Sequence, residues 1–92
     1  MARVIITLRI RPESPDTSLD HIRMHADEAI AKFSGEKAAR VNVHDIGFGL
    51  KELEMTFVSD EAKGDSEPLE KQILAIQGVE SVEVTDVRRA LG

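Results

Sequence analysis

Residues 3–11 read RVIITLRIR. Val4, Ile6, Leu8 and Ile10 alternate with Arg3, Thr7, Arg9 and Arg11, the period-two pattern of a strand with one buried face and one wet face. Ile5 is the one apolar intruder on the polar side. Residues 51–58, KELEMTFV, alternate in the same way, and the two segments match when laid antiparallel. Arg11 then opposes Glu52, Arg9 opposes Glu54, Thr7 opposes Thr56 and Ile5 opposes Val58. The same register stacks Ile10 on Leu53, Leu8 on Met55 and Ile6 on Phe57 on the other face. A slip of two residues preserves the faces but loses the matching of opposite charges.

The pattern extends outward from this pair. PESPD (12–16) stops the first strand with two prolines and supplies Asp16, or Thr17 after it, as a helix N-cap. Leu19, Ile22, Ala26, Ala29, Ile30 and Phe33 then fall on one helical stripe, which predicts a helix over 17–32 with Gly35 as its stop. ARVNVHDI (39–46) alternates again. KGDSEP (63–68) reads as a turn and cap, with Pro68 tolerable in a first helical turn. Leu69, Ile73 and Ile76 predict a second helix over 66–77, and VESVEVTDV (79–87) is the last strand. The order βαββαβ, with right-handed crossovers and a central hairpin, is that of an α+β ferredoxin-like sandwich. Its sheet is antiparallel in the order 4-1-3-2, with both helices on one face. Residues 1–92 are expected to form one such domain. That fold hosts many unrelated functions, so activity has to be sought in particular residues.

Composition excludes several classes of function. The chain has 41% apolar and 32% charged residues, no cysteine and a formal charge of −5. Disulfides, thiolate catalysis and Cys-ligated zinc are therefore absent. The acidic balance argues against a partner held mainly through phosphates. An open sheet face bearing Thr7, Arg9, Glu54 and Thr56 lacks the exposed aromatics that stack RNA bases. No apolar run is long enough to span a membrane and MARVIITLRIRP (1–12) lacks a cleavable signal, so a cytoplasmic protein is expected. There is no serine elbow and no glycine-rich phosphate loop beyond the GFG triplet. His21 and His25 have helical chelate spacing but flank the buried stripe without further ligands, and His44 falls on the polar side of its strand, facing water. SDEAKGDSE (59–67) lacks the glycine and final glutamate of a calcium loop. No metal, no cofactor and no covalent chemistry are expected.

Two stretches survive. In DIGFGLKEL (45–53), one of only three phenylalanines stands between two glycines, where a flexible backbone suits a ring offered outward better than a strand interior. The alternative is a ring folded back over the sheet edge. In VTDVRRALG (84–92), a strand runs into Asp86, Arg88 and Arg89 just before the chain ends. The alternative there is a frayed terminus with solvated arginines. In a 4-1-3-2 sheet the hairpin and the tail leave from opposite ends.

RPESPD (11–16), IGFGLKEL (46–53) and GVESVEVTDVRR (78–89) together resemble the archaeal translation elongation factor 1-beta family, over essentially the whole chain. The resemblance implies a ferredoxin-like fold and guanine-nucleotide exchange on elongation factor 1-alpha, the GTPase that delivers aminoacyl-tRNA, by binding and without catalysis. It implies partner contacts at Gly47, Phe48, Gly49 and Leu50, with Phe48 docking on the second domain of the GTPase. The tail residues Asp86, Arg88 and Arg89 are expected to face the nucleotide side. Eukaryotic relatives place a lysine near the C-terminus at the magnesium site, and that position falls at about Gly92 here. Arg88 and Arg89 are the nearest basic groups and do not match it residue for residue. The free protein is expected to be a monomer with no direct nucleic-acid or membrane partner. The rival reading is a regulatory or oligomerising ferredoxin-like domain that binds a small metabolite between subunits.

Overall fold

The computed structural model describes residues 2–90. The elements are β1 (Arg3–Pro12), α1 (Leu19–Ser34), β2 (Arg40–Gly47), β3 (Leu50–Asp60), a short 3-10 turn (Glu61–Lys63), α2 (Glu67–Leu74) and β4 (Val79–Ala90). The sheet order is β2-β3-β1-β4 with every neighbour antiparallel, the α+β ferredoxin-like arrangement expected from the sequence.

The β1–β3 register is the expected one, with Ile5 opposite Val58, Thr7 opposite Thr56, Leu8 opposite Met55 and Arg9 opposite Glu54. Thr7 and Thr56 touch through their hydroxyls at 3.2 Å. Arg9 does more than face Glu54: its Nε lies 3.3 Å from Glu54 and its Nη1 donates to Glu52 at 3.0 Å. Arg11 adds a contact to Glu52 from Nε at 3.2 Å. Glu52, buried although charged, is thus held by two guanidinium groups, which is how a carboxylate tolerates loss of water.

Beneath the helices, Ile6, Leu8 and Ile10 of β1 and Leu53, Met55 and Phe57 of β3 meet Ile22, Ala26 and Ile30 of α1 and Leu69 and Ile73 of α2. All are buried, and each lies at a position the periodicity had assigned inward. Phe33 closes the edge, its ring edge-on to Phe57 at 6.3 Å between centroids. Both helix boundaries differ from expectation. The N-cap of α1 is Ser18, whose hydroxyl accepts from the His21 N–H at 3.2 Å, rather than Asp16 or Thr17. Thr17 instead packs its methyl tightly against Gly78, and Ser14 and Thr17 hydroxyls lie 3.3 Å apart, so residues 12–18 are a structured loop. Helix α1 runs on to Ser34 before Gly35 closes it in the left-handed region at φ 93°. Helix α2 is shorter than predicted, ending at Leu74.

The fold has two distinct ends. One carries the 12–18 loop, the β2–β3 turn and the turn at Gly78, with Pro12 paired to Val79. The other carries Arg3, paired to both Asp60 and Ala90, and the β3–α2 connection. The body is elongated, 42 × 21 × 17 Å.

Candidate functional site

At the first end, Gly47 pairs with Leu50 across a turn made by Phe48 and Gly49. Gly47, Phe48 and Gly49 all have positive φ, at 94°, 56° and 77°. Of the two-residue hairpin turns that match the twist of their strands, the type I′ turn has positive φ at both central residues, and Asn-Gly is its usual sequence. Phenylalanine there is an outlier for a bulky side chain, at a cost on the order of 1–3 kcal/mol. Two devices enforce it. Ile46 is an extra residue between the pairs Asp45–Lys51 and Gly47–Leu50, and the Asp45 carboxylate accepts from the Gly47 N–H at 3.0 Å. The Phe48 side chain gains no packing in return: the residue is 100% exposed. It does not fold back over the sheet edge. Pro15 of the 12–18 loop stands beside Gly49, and this loop, with Leu19 and Lys51, walls a hollow of about 260 Å³ at the foot of the turn.

At the other end, β4 stays paired to β1 as far as Ala90, so Asp86, Arg88 and Arg89 belong to a strand and not to a frayed terminus. Gly92 lies outside the described residues. Arg88 and Arg89, neighbours in sequence, are placed on opposite faces of the sheet. Leu8 pairs with Val84 while Thr7 pairs with Asp86, leaving Thr85 as a β-bulge. Such a bulge re-phases the side chains that follow. Before it Val82 and Val84 lie on the helix side; after it Val87 and Arg89 do, opposite Ile6 and Val4. Arg88 lies opposite Ile5, on the open face, where its Nε meets Asp86 at 2.8 Å. Arg89 reaches the β3–α2 connection and binds Glu61 in a fork, Nη2 to Oε1 at 2.8 Å and Nε to Oε2 at 3.2 Å. Beside this pair Val4, Ile6 and the exposed Val87 floor an apolar cleft of about 310 Å³, rimmed by Glu61 and Asp65. Neither the bulge nor the Glu61 contact is visible in a period-two pattern that simply continues.

The histidines have other surroundings. His21 and His25 sit edge to face on α1, 4.5 Å between ring centroids, and among the described residues no three His, Asp or Glu side chains converge. His44 does not simply face water: its Nε2 lies 3.2 Å from Glu54. That hydrogen bond, helped by Asn42 and by the charge of Arg9, holds the Glu54 carboxyl below its ordinary range, against a desolvation that pushes it up. Among the described residues no helix is long and apolar enough to cross a membrane.

The chain is a small α+β domain that presents an exposed ring at one tip and a charged strand end at the other. Comparison with known proteins identifies which kind. The sequence model of the EF-1 guanine nucleotide exchange domain matches residues 5–90. Relatives named elongation factor 1-beta share 38% identity in Methanosphaera stadtmanae and 35% in Methanothermobacter thermautotrophicus, each over 99% of this chain and the whole of the relative. Another from Staphylothermus marinus is 32% identical over 97% of this chain and 98% of its own. The chain belongs to the EF-1 guanine nucleotide exchange domain family.

Proposed function

We propose that this protein accelerates release of GDP from elongation factor 1-alpha during protein synthesis, acting in the cytoplasm as a monomer. The observation that carries the reading is Phe48: a wholly exposed ring held in a strained turn, in a chain matched nearly end to end by the exchange-domain family. The turn fixes the backbone from which the ring projects, and a large apolar ring with only two side-chain torsions gives up little freedom for the area it can bury on docking. Phe48 with Gly47, Gly49 and Leu50 grips one domain of the GTPase, and the end bearing Asp86, Arg88 and Arg89 approaches the nucleotide domain.

Exchange needs no covalent step. A factor that holds the nucleotide-free GTPase more tightly than the GDP-loaded form lowers GDP affinity by the same factor that GDP lowers its own. The opposite placement of the two ends supports this reading over a metabolite pocket, because no single small molecule spans both. The deciding measurement is release of labelled GDP from elongation factor 1-alpha with and without this protein. A rate that rises and saturates with added protein is expected; an unchanged rate across a wide concentration range overturns the proposal.

A further inference from the structure

The Phe48 turn is held by something other than its ring. Gly47, Phe48 and Gly49 stand at φ 94°, 56° and 77°, and a ring that is 100% exposed gains no packing that could fix the middle value. Glycine on either side relaxes the backbone, so the segment left to itself would let Phe48 return to the negative φ that a bulky residue prefers. The restraint has to come from neighbours. On the β3 side Pro15 stands beside Gly49, an apolar neighbour that limits space but sets no direction. On the β2 side the Oδ1 of Asp45 accepts from the Gly47 N–H at 3.0 Å, an Asx turn closed over the extra residue Ile46. That bond fixes direction as well as place.

Among the described residues Asp45 enters no ion pair, not even with Lys51, its cross-strand neighbour. It is exposed, and water competes for both partners of its hydrogen bond, so it contributes little to folding. We infer that Asp45 is a positioning residue for partner binding: its carboxylate holds the turn that aims Phe48 at the GTPase. This rests on the proposed function, in which Phe48 is the anchor. Without the Gly47 bond the turn samples conformers that offer the ring elsewhere, and affinity falls with the fraction of molecules still correctly arranged. The strain relieved at Phe48 offsets the lost hydrogen bond, so the unfolding midpoint scarcely moves. A merely structural aspartate would move the midpoint and not the affinity.

Two arms test it. In the free protein a strong amide–Hα NOE within Phe48 marks its positive φ. It is expected to weaken in Asp45→Ala and to persist in Asp45→Asn, whose amide oxygen accepts the same bond. An undiminished NOE in Asp45→Ala overturns the inference. In the second arm, Asp45→Ala is expected to raise about fivefold the concentration that half-saturates GDP release from elongation factor 1-alpha, with the plateau rate unchanged and Asp45→Asn near wild type. Wild-type half-saturation in Asp45→Ala overturns the inference and leaves the exchange reading standing. A loss as large in Asp45→Asn shows that the charge meets the partner directly, and also overturns it. So does an equal further loss when Asp45→Ala is added to Phe48→Ala, since a residue acting through the ring then has nothing to position. If wild type releases no GDP, the exchange reading fails and the NOE comparison alone decides whether Asp45 sets the turn.

Discussion

Arg89 and Glu61 join the last strand to the β3–α2 connection through a forked ion pair with contacts of 2.8 Å. Both side chains are largely exposed, Arg89 at 67% and Glu61 at 46%, so the pair is a weak brace and contributes less than about 1 kcal/mol to folding. Arg89→Ala should therefore leave the urea midpoint nearly unchanged. A drop in GDP release at saturating protein then reports on the nucleotide side and not on folding. Full exchange by both Arg88→Ala and Arg89→Ala would move the displacing group elsewhere, with the Asp60–Asp65 connection the next place to look.

Phe48→Asn should separate binding from stability in opposite directions. Asparagine adopts the positive φ that the turn imposes, so the variant should be more stable than wild type by about 0.5–1 kcal/mol in urea unfolding. Its affinity for elongation factor 1-alpha should fall by about 2 kcal/mol, read by calorimetry. A variant that is less stable would show that the ring packs in solution.

Phe57→Ala provides the contrast. That ring is fully buried against Phe33 and the helices, and its loss should cost about 3–5 kcal/mol, a large part of what a domain this size possesses. The two phenylalanines, nine positions apart, should give the largest and the most favourable stability changes of any aromatic replacement in the chain.

Glu54 should make stability depend on pH. Its folded carboxyl titrates below the ordinary 4.5 because His44, then Asn42 and Arg9, favour the charged form. The stabilisation is thus fully present above the unfolded value and is lost as pH falls through the lowered folded value. Glu54→Gln should be less stable than wild type at neutral pH, and the gap should close in acid. Unfolding midpoints of both proteins from pH 7 to pH 2 measure it; a constant gap would show that Glu54 titrates normally.

Much of this was legible in residues 3–11 and 51–58. Alternation on both strands and the Arg–Glu and Thr–Thr matches admit one register, and the sheet, its order and the core follow. The position of Phe48 between glycines also pointed to an exposed ring, because glycine on both sides is poor material for a strand interior; the positive φ of Phe48 itself runs against its residue type and was not legible. The tail was not legible in the same way. A bulge leaves no mark in a short strand where Thr85 and Asp86 are both polar, so the faces of Val87, Arg88 and Arg89 were open until the pairing with β1 was seen. The α1 cap was missed for a related reason: Asp16, Thr17 and Ser18 are all good caps, and the choice among them falls to the contact between Thr17 and Gly78.

Strand β1 is hydrogen-bonded on both sides from Arg3 to Ile10, and β3 carries its first residue at the hairpin and its last, Asp60, opposite Arg3, whose other side pairs with Ala90 at the tail end. On the proposed mechanism the protein is therefore a caliper with fixed jaws, set at roughly 33 Å by the rise of an 11-residue strand. It can close only on a GTPase whose two domains stand at that spacing, so any domain swing that accompanies GTP binding ejects it without a separate release signal. Inserting two residues into each strand of the β2–β3 hairpin would widen the jaws by about 7 Å and should abolish exchange with every contacting side chain still in place.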